Sequence, residues 1–448
     1  MAGIFKAYDI RGVYGDVLNK EMGYRIGMAY ARFLGEGKQI VCGKDGRVHS
    51  DELQGAFIEG VLDGGCHVAN MGLCTTPNSY YACFTGGYDG SAMITASHNP
   101  GRYNGLKFCR ENAIPVGYDD GLDRIETHAL EGCSKAETRG SYTTVDYKDG
   151  YLAYLKERST FAKSFNFAVD CGNGMGGFLV KDVLDQTNQE AVELYWDLDF
   201  TFPNHEANPL SPKNMVDLQA VVRDKGLDFG VAFDGDADRC FFVDDRGDIV
   251  PADILTTLIA VDTLKKTGGG AIVYDVRSSR VVREQILAHG GEPVLCRVGH
   301  SYMKAMLRKH GGPFGGEVAG HFYFRDFAYA DSAFLTMIVV MNILENEGKP
   351  LSELLAPYRK YAPSGEINFR TEKADALIDS AADRFPGGTP NFIDGIRLDY
   401  DNWWFCLRKS NTEPLLRLVV EADDGEMLDR QVEAIKAWIF SEGGEVEH

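Results

Sequence analysis

The sequence predicts an α/β protein of several related domains, closed by a smaller α+β module. Two observations carry this expectation. A buried strand, a polar loop and an amphipathic helix recur in that order from residues 39, 167 and 271, and repetition of one supersecondary unit marks related domains. Beyond Pro363-Ser364-Gly365 the order changes, and strands follow one another directly.

In the first unit Gln39-Ile40-Val41-Cys42 reads as a buried strand and Gly43–Arg47 as a polar loop. A helix follows from about Asp51 to Leu62, because Leu53, Phe57 and Val61 recur at four-residue spacing. Ser50 is its expected N-cap, Asp51 and Glu52 suit the helix start, and Gly64-Gly65 end it. The next unit opens at Phe167–Cys171, with the loop Gly172-Asn173-Gly174 and a helix after Gly177. The third has Ala271–Tyr274 as strand, Asp275-Val276-Arg277 as loop, a helix over 279–289, and Gly290-Gly291 before Pro293-Val294-Leu295. Sheets of this kind bind ligands at the carboxyl ends of their strands, where these loops sit. The closing module reads as a short strand near Ile367–Phe369 and a helix near 372–384. Strands near 395–398, 403–407 and 415–421 follow, then a helix from about 426 to 440. Boundaries fall near 148, 252 and 364, giving domains 1–148, 149–252, 253–363 and 364–448.

A formal net charge of −20 argues against a nucleic-acid or acidic-membrane partner. It also means that a site for an anionic substrate must carry its own cluster of Arg and Lys. The ten cysteines form no CxxC pair, which speaks against a zinc site or disulfide framework and for reduced, mostly buried thiols. The opening residues lack an apolar signal core. The longest oily stretch, Ala333–Leu344, is interrupted by Thr336 and Asn342 and is too short to span a bilayer. A soluble cytoplasmic protein is expected.

Thr95-Ala96-Ser97-His98-Asn99-Pro100 follows the apolar run Ala92-Met93-Ile94. A serine where a buried strand gives way to a loop presents its hydroxyl at a ligand-binding edge, and that hydroxyl can take and return a group covalently. Taken alone, the hexapeptide is equally a polar turn capping a strand. Asp234-Gly235-Asp236-Ala237-Asp238-Arg239 follows the strand Phe229–Phe233. In an extended loop alternate side chains face the same way, so the three carboxylates converge. Without a cation they raise one another's pKa, and oxygen-only ligation suits Mg²⁺. The competing calcium loop needs Gly at its sixth position, where Arg239 stands.

Gly315-Gly316-Glu317-Val318-Ala319-Gly320-His321 offers Glu317 as an acceptor for adjacent sugar hydroxyls, or it is a polar loop with a structural His. Arg408-Lys409-Ser410-Asn411-Thr412-Glu413-Pro414 offers an Arg fork and neutral donors for phosphate oxygens, or it is a hairpin with a solvated basic pair. Tyr8–Gly12, Tyr103–Lys107 and Arg297–Ser301 add cations or an imidazole from Gly-containing loops.

Together and in this order the motifs resemble those of the α-D-phosphohexomutases, in particular the bacterial phosphomannomutase/phosphoglucomutase branch. The resemblance runs from Phe5–Gly12 to Arg408–Pro414 and so covers nearly the whole chain. It implies four domains around a central cleft: three α/β domains with mixed sheets and a fourth like the TATA-binding protein. These carry in turn a phosphoserine loop, a metal loop, a sugar loop and a phosphate loop. Ser97 matches the phosphoserine, with His98 beside it, and Asp234, Asp236 and Asp238 match Mg²⁺ ligands whose set a phosphoserine oxygen completes. Arg239 matches a position next to the phosphoserine. Glu317 matches the sugar-hydroxyl ligand, and Arg408, Ser410, Asn411 and Thr412 match the grip on the distal phosphate. Tyr8, Arg11, Lys107, Arg277, His300 and His321 match positions lining the cleft, with Lys107 and His321 as proton-transfer candidates.

The implied activity is reversible interconversion of mannose 6-phosphate and mannose 1-phosphate, with the glucose phosphates as further substrates. It passes through a hexose 1,6-bisphosphate, in a monomer or homodimer. Two departures bear on substrate preference: Ala319 stands where this branch often has Ser, and Arg277 where Lys also occurs. The alternatives are a glucose-preferring phosphoglucomutase and, in another class, a sugar-phosphate phosphatase or a non-catalytic sugar-phosphate-binding protein.

Overall fold

Residues 3–410 and 415–447 are described by a computed structural model. In it the chain builds four sheets in succession. The first places Gln39–Lys44 between His67–Leu73 and Gly90–Ile94, both parallel to it, with Tyr103–Arg110 antiparallel beyond. The second repeats that plan with Phe167–Asp170 between Ala191–Leu194 and Phe229–Phe233, then Cys240–Asp244. The third repeats it again with Gly270–Asp275 between Gly291–Cys296 and Phe314–Gly316, then Phe322–Phe324.

This repetition positions the site. In each repeat the chain leaves one flanking parallel strand at its carboxyl end and turns back into the antiparallel one. Just beyond that point stand Ser97, Asp234 and Glu317, at the edge where such sheets bind ligands. A second equivalence follows the central strand. Arg47 donates its backbone N–H to Asp45 at 3.1 Å, and Arg277 does the same to Asp275 at 2.7 Å.

The helix Ser50–Asp63 buries Leu53, Phe57 and Val61 as their spacing requires. Its cap differs from expectation. The cap position is His49, without a side-chain cap bond. Ser50 instead donates its hydroxyl to Asp45 at 2.6 Å and accepts from Asn104 at 3.0 Å, so tertiary partners have taken the side chain that would have capped the helix. The oily stretch lies in a helix, Ala333–Glu347, capped by Ser332 and buried along most of its length. It is apolar on nearly every face because protein surrounds it. Asn342 on this helix accepts from the backbone N–H of Thr160 at 2.8 Å, and Ser332 contacts the Tyr151 hydroxyl at 2.7 Å. Among the described residues, no helix is long and apolar enough to cross a membrane. All ten cysteines are free, and all but Cys133 are buried.

The last sheet is antiparallel throughout, with Trp403–Lys409 and Leu416–Ala422 at its centre. Its strand Ala362–Arg370 is longer than its apolar core suggests, because it pairs along Leu416–Ala422 across a bulge. This domain docks on the third through Arg397. Its guanidinium donates to the carbonyls of Val276 and Ser278 at 2.8 and 3.1 Å while lying 3.7 Å from the Trp404 ring centre.

Candidate active site

Ser97 adopts a left-handed backbone, φ +50°, which costs a serine roughly 1–2 kcal/mol. Arg47 holds it there. Nearly buried, Arg47 donates to the carbonyls of Ser97 and Asn99 at 2.7 Å each and to those of Pro100 and Tyr103 at 2.9 and 3.0 Å. Asp45 balances its charge at 3.0 Å, and Phe200 and Phe202 of the second domain each bring a ring centre to 5.7 Å. So fixed, the Ser97 hydroxyl donates to Asp234 Oδ2 at 2.9 Å and lies 3.3 Å from His98 Nδ1.

The aspartate loop converges, though not as an extended strand. It is a tight turn in which the Ala237 N–H donates to the Asp234 carbonyl at 3.1 Å, with Ala237 at φ +60°. The strands Phe229–Phe233 and Cys240–Asp244 pair antiparallel on either side, so the loop must reverse within a few residues. Asp234, Asp236 and Asp238 nevertheless offer oxygens that lie within 4.8 Å of one another. Lys107 Nζ donates to Asp236 and Asp238 at 2.6 and 2.5 Å, Thr76 donates to Asp236 at 2.6 Å, and Arg239 donates to Asp234 at 2.9 Å. Asp236 Oδ1 and Asp238 Oδ1 are buried and have no hydrogen-bond partner among the described residues. Hard oxygen donors left open on converging carboxylates fit a divalent cation.

Electrostatics follow from that crowding. Burial, with the charge of Asp238, pushes Asp234 up to about 7. Burial also opposes ionisation of Asp236, but the Lys107 ammonium outweighs it and holds the pKa below the ordinary value. Lys107 is affected in the opposite sense: burial favours its neutral form, Asp236 and Asp238 prevail, and it stays charged. Lys107 was expected on the cleft wall. It lies behind it instead, drawn onto the two carboxylates, and is absent from the cavity lining.

A cavity of about 630 Å³ opens in front of Ser97 and is lined from all four domains. Tyr8, Arg11, Ser97, His98, Arg239, Arg277, His300, Glu317, His321, Arg408 and Ser410 all face it. Arg11 is held by Asp9 and by Asn99 Oδ1, each at 2.7 Å. The Tyr8 ring meets His300 edge-on at 4.8 Å. Burial, then Lys304, keeps His300 well below its usual pKa, and both its ring nitrogens lack partners among the described residues. Burial and Arg239 do the same to His98. His321 goes the other way: burial lowers it, but Asp238 and Asp331 more than restore it, with Nδ1 at 2.6 Å from Asp331.

Glu317 accepts from the Gly299 N–H at 3.0 Å and the Tyr323 hydroxyl at 2.9 Å. Each oxygen keeps a further lone pair for a ligand hydroxyl. Arg408 is buried, with Nε unpartnered among the described residues. Asn411 and Thr412 lie outside the described residues. Among the described residues six Lys and Arg side chains line the cavity against Asp16, Glu317 and Glu366, so an acidic protein presents a basic pocket, as an anionic ligand requires.

Sequence reasoning missed Arg47, Thr76, Asp331, Glu366 and Arg417. The Asp-x-Arg spacing shared by 45–47 and 275–277 could have exposed Arg47. Asp331, in a two-residue strand, carried no comparable signal.

Comparison with known proteins agrees with this architecture. The phosphoglucomutase/phosphomannomutase alpha/beta/alpha domains I, II and III match residues 2–134, 149–247 and 251–361, and the C-terminal domain matches 366–437. The chain is 38% identical over 439 residues to the phosphohexose mutases of Xanthomonas campestris pv. campestris, covering 96% of this chain and 98% of that one. It is 36% identical over 434 residues to the phosphomannomutase of Vibrio cholerae, covering 93% and 94%. A phosphoglucomutase/phosphomannomutase family protein from Burkholderia thailandensis superposes with a TM-score of 0.92 at 31% identity over all of both chains. With all four domains matched in order around one cavity, the chain belongs to the phosphoglucomutase/phosphomannomutase family.

Proposed function

We propose that this protein is a phosphohexomutase that interconverts mannose 6-phosphate and mannose 1-phosphate, and the corresponding glucose phosphates, through a phosphoserine at Ser97. The observation that carries the reading is the Ser97 hydroxyl, 2.9 Å from Asp234, on the wall of a cavity also lined by Arg277, Arg408 and Glu317. In the forward half-reaction the Ser97 Oγ–P bond breaks as a sugar oxygen bonds to phosphorus. The sugar hydroxyl gives up its proton and the departing serine oxygen regains one. The resulting hexose 1,6-bisphosphate turns over and returns its other phosphoryl group to Ser97.

Phosphoryl transfer needs alignment and neutralised charge more than a strong base. Arg11 and Arg239 line the cavity beside Ser97, and Lys107 keeps Asp236 and Asp238 in place from behind. His321, which Asp331 holds at 2.6 Å, is the candidate to hold or pass the sugar hydroxyl's proton. Mg²⁺ held by Asp234, Asp236 and Asp238 would supply Lewis-acid stabilisation of the phosphoryl oxygens. Arg408 and Ser410, with Asn411 and Thr412, serve the distal phosphate, and Glu317 serves the sugar hydroxyls. Mannose and glucose differ only at C2, so a carboxylate gripping the C3 and C4 hydroxyls accepts both.

A coupled assay with mannose 1-phosphate and glucose 1-phosphate, each with Mg²⁺ and a trace of the 1,6-bisphosphate, tests this. Comparable kcat/KM values are expected. Release of free phosphate without isomer formation would make the protein a phosphatase.

The raised Asp234 pKa gives a second test. In the ion-free fold this carboxyl binds its proton more tightly than in the unfolded chain. Stability from it is therefore full below the ordinary carboxylate value and is lost as pH rises toward about 7. A cation displaces that proton, so binding strengthens over the same interval. The rise in Tm on adding Mg²⁺ is expected to be larger at pH 8 than at pH 5.5. Equal shifts at both pH values would show that Asp234 does not exchange a proton for the ion.

A further inference from the structure

Arg408 and Arg417 stand directly opposite each other on the antiparallel strands Trp403–Lys409 and Leu416–Ala422, and both line the cavity. Like charges in that register repel. Arg277 of the third domain adds to the conflict: after burial, its charge is the largest influence depressing the Arg408 pKa. Asp275 holds Arg277 from behind at 2.8 Å, and Asp394 near Arg408 is engaged by the Val298 N–H at 3.0 Å. Inside the cavity Glu317 Oε1 lies 3.6 Å from Arg277 Nη2, and Glu366 reaches across two of the arginines, with Oε1 at 2.9 Å from Arg417 Nη1 and Oε2 at 3.7 Å from Arg277 Nη1. Glu366 thereby links the third domain to the fourth with an anion that turns one oxygen toward each of two arginines, as the oxygens of a phosphate could.

We infer that Glu366 is an internal competitor for the phosphate subsite formed by Arg277, Arg408 and Arg417, taking up arginine charge when the subsite is empty and weakening its hold on a phosphate when it is filled. This rests on the reading that these arginines serve the distal phosphate. The purpose follows from the reaction. A bisphosphate that must turn over between two transfers has to be let go at its distal end, and an arginine cluster with one anion fewer among its guanidinium groups would release it more slowly.

Glu366→Gln keeps the shape of the side chain and removes its charge. Calorimetric titration of the full chain with inorganic phosphate is expected to show roughly tenfold tighter binding, the order of effect of one unit charge removed from a partly screened site. Phosphate should also raise the Tm of this variant more than that of the parent, because the anion replaces the lost tie between domains. Glu366→Asp, which keeps the charge, should bind phosphate nearly as the parent does. Unchanged or weaker phosphate binding by Glu366→Gln would overturn the inference and leave Glu366 as a scaffold that orients the arginines. The titration does not depend on turnover. Failure of the parent to interconvert hexose phosphates would sink the functional reading while leaving the comparison of affinities intact.

Discussion

Ser97→Ala is expected to lower hexose phosphate interconversion by about 10⁴-fold or more, as removal of a covalent nucleophile does. The fold should survive. Alanine fits the same left-handed backbone, the four carbonyls that Arg47 holds are untouched, and Asp234 keeps its pairing with Arg239 at 2.9 Å. Binding should survive as well, because Arg277, Glu317 and Arg408 lie on other parts of the cavity wall. The signature is therefore a lost kcat with hexose phosphate affinity retained. Intact-mass spectrometry should find one transferable phosphate on the parent and none on the variant. Near-normal turnover by Ser97→Ala would remove the phosphoserine from the mechanism altogether, whatever the fate of the aspartate loop.

The chain reveals some parts of this site because their chemistry is local and others not at all. Ser97 and the three aspartates stand out because each motif is contiguous and follows an apolar strand, so position and residue type are read together. The repeat was legible for the same reason: Val41, Val169 and Val273 sit in equivalent buried strands. Long-range partners were not legible. Arg47 lies fifty positions from the serine whose carbonyl it binds, and nothing in its own neighbourhood says where its guanidinium ends up. Thr76 reaches Asp236 across 160 positions. The same effect misled the reading of Ser50, a good cap by sequence, whose hydroxyl is claimed by Asp45. It also misplaced Lys107, since only the assembled domains bring two aspartates against it. Periodicity reports how a segment buries itself, whereas pairing of charges across domains is decided by packing.

Gly235→Ala is expected to cost about a hundredfold in kcat, the scale of an ångström-sized misplacement at a reacting centre. The backbone of Gly235 does not require glycine for its conformation, so the cost is one of space. An added Cβ would lie 2.3 Å from the Ser97 carbonyl oxygen and 3.1 Å from its carbon. That carbonyl cannot yield easily, because Arg47 donates to it at 2.7 Å while being held by Asp45 and two phenylalanine rings. The aspartate loop cannot yield easily either: the Gly235 carbonyl accepts from the Met175 N–H at 2.9 Å, and Gly174 packs against Gly235 so closely that its own Cβ would lie 2.9 Å away. Two loops fixed from opposite sides must then separate, and the bond from Ser97 Oγ to Asp234, now 2.9 Å, moves beyond hydrogen-bond range. Arg277, Glu317 and Arg408 stand on the cavity wall in other domains, so KM for hexose phosphate should stay close to the parent value while kcat falls. Phosphorylation of Ser97 by a hexose 1,6-bisphosphate, followed by intact mass, should slow in parallel. A parent-like kcat in Gly235→Ala would mean that phosphoryl transfer does not require the serine loop and the aspartate loop to touch.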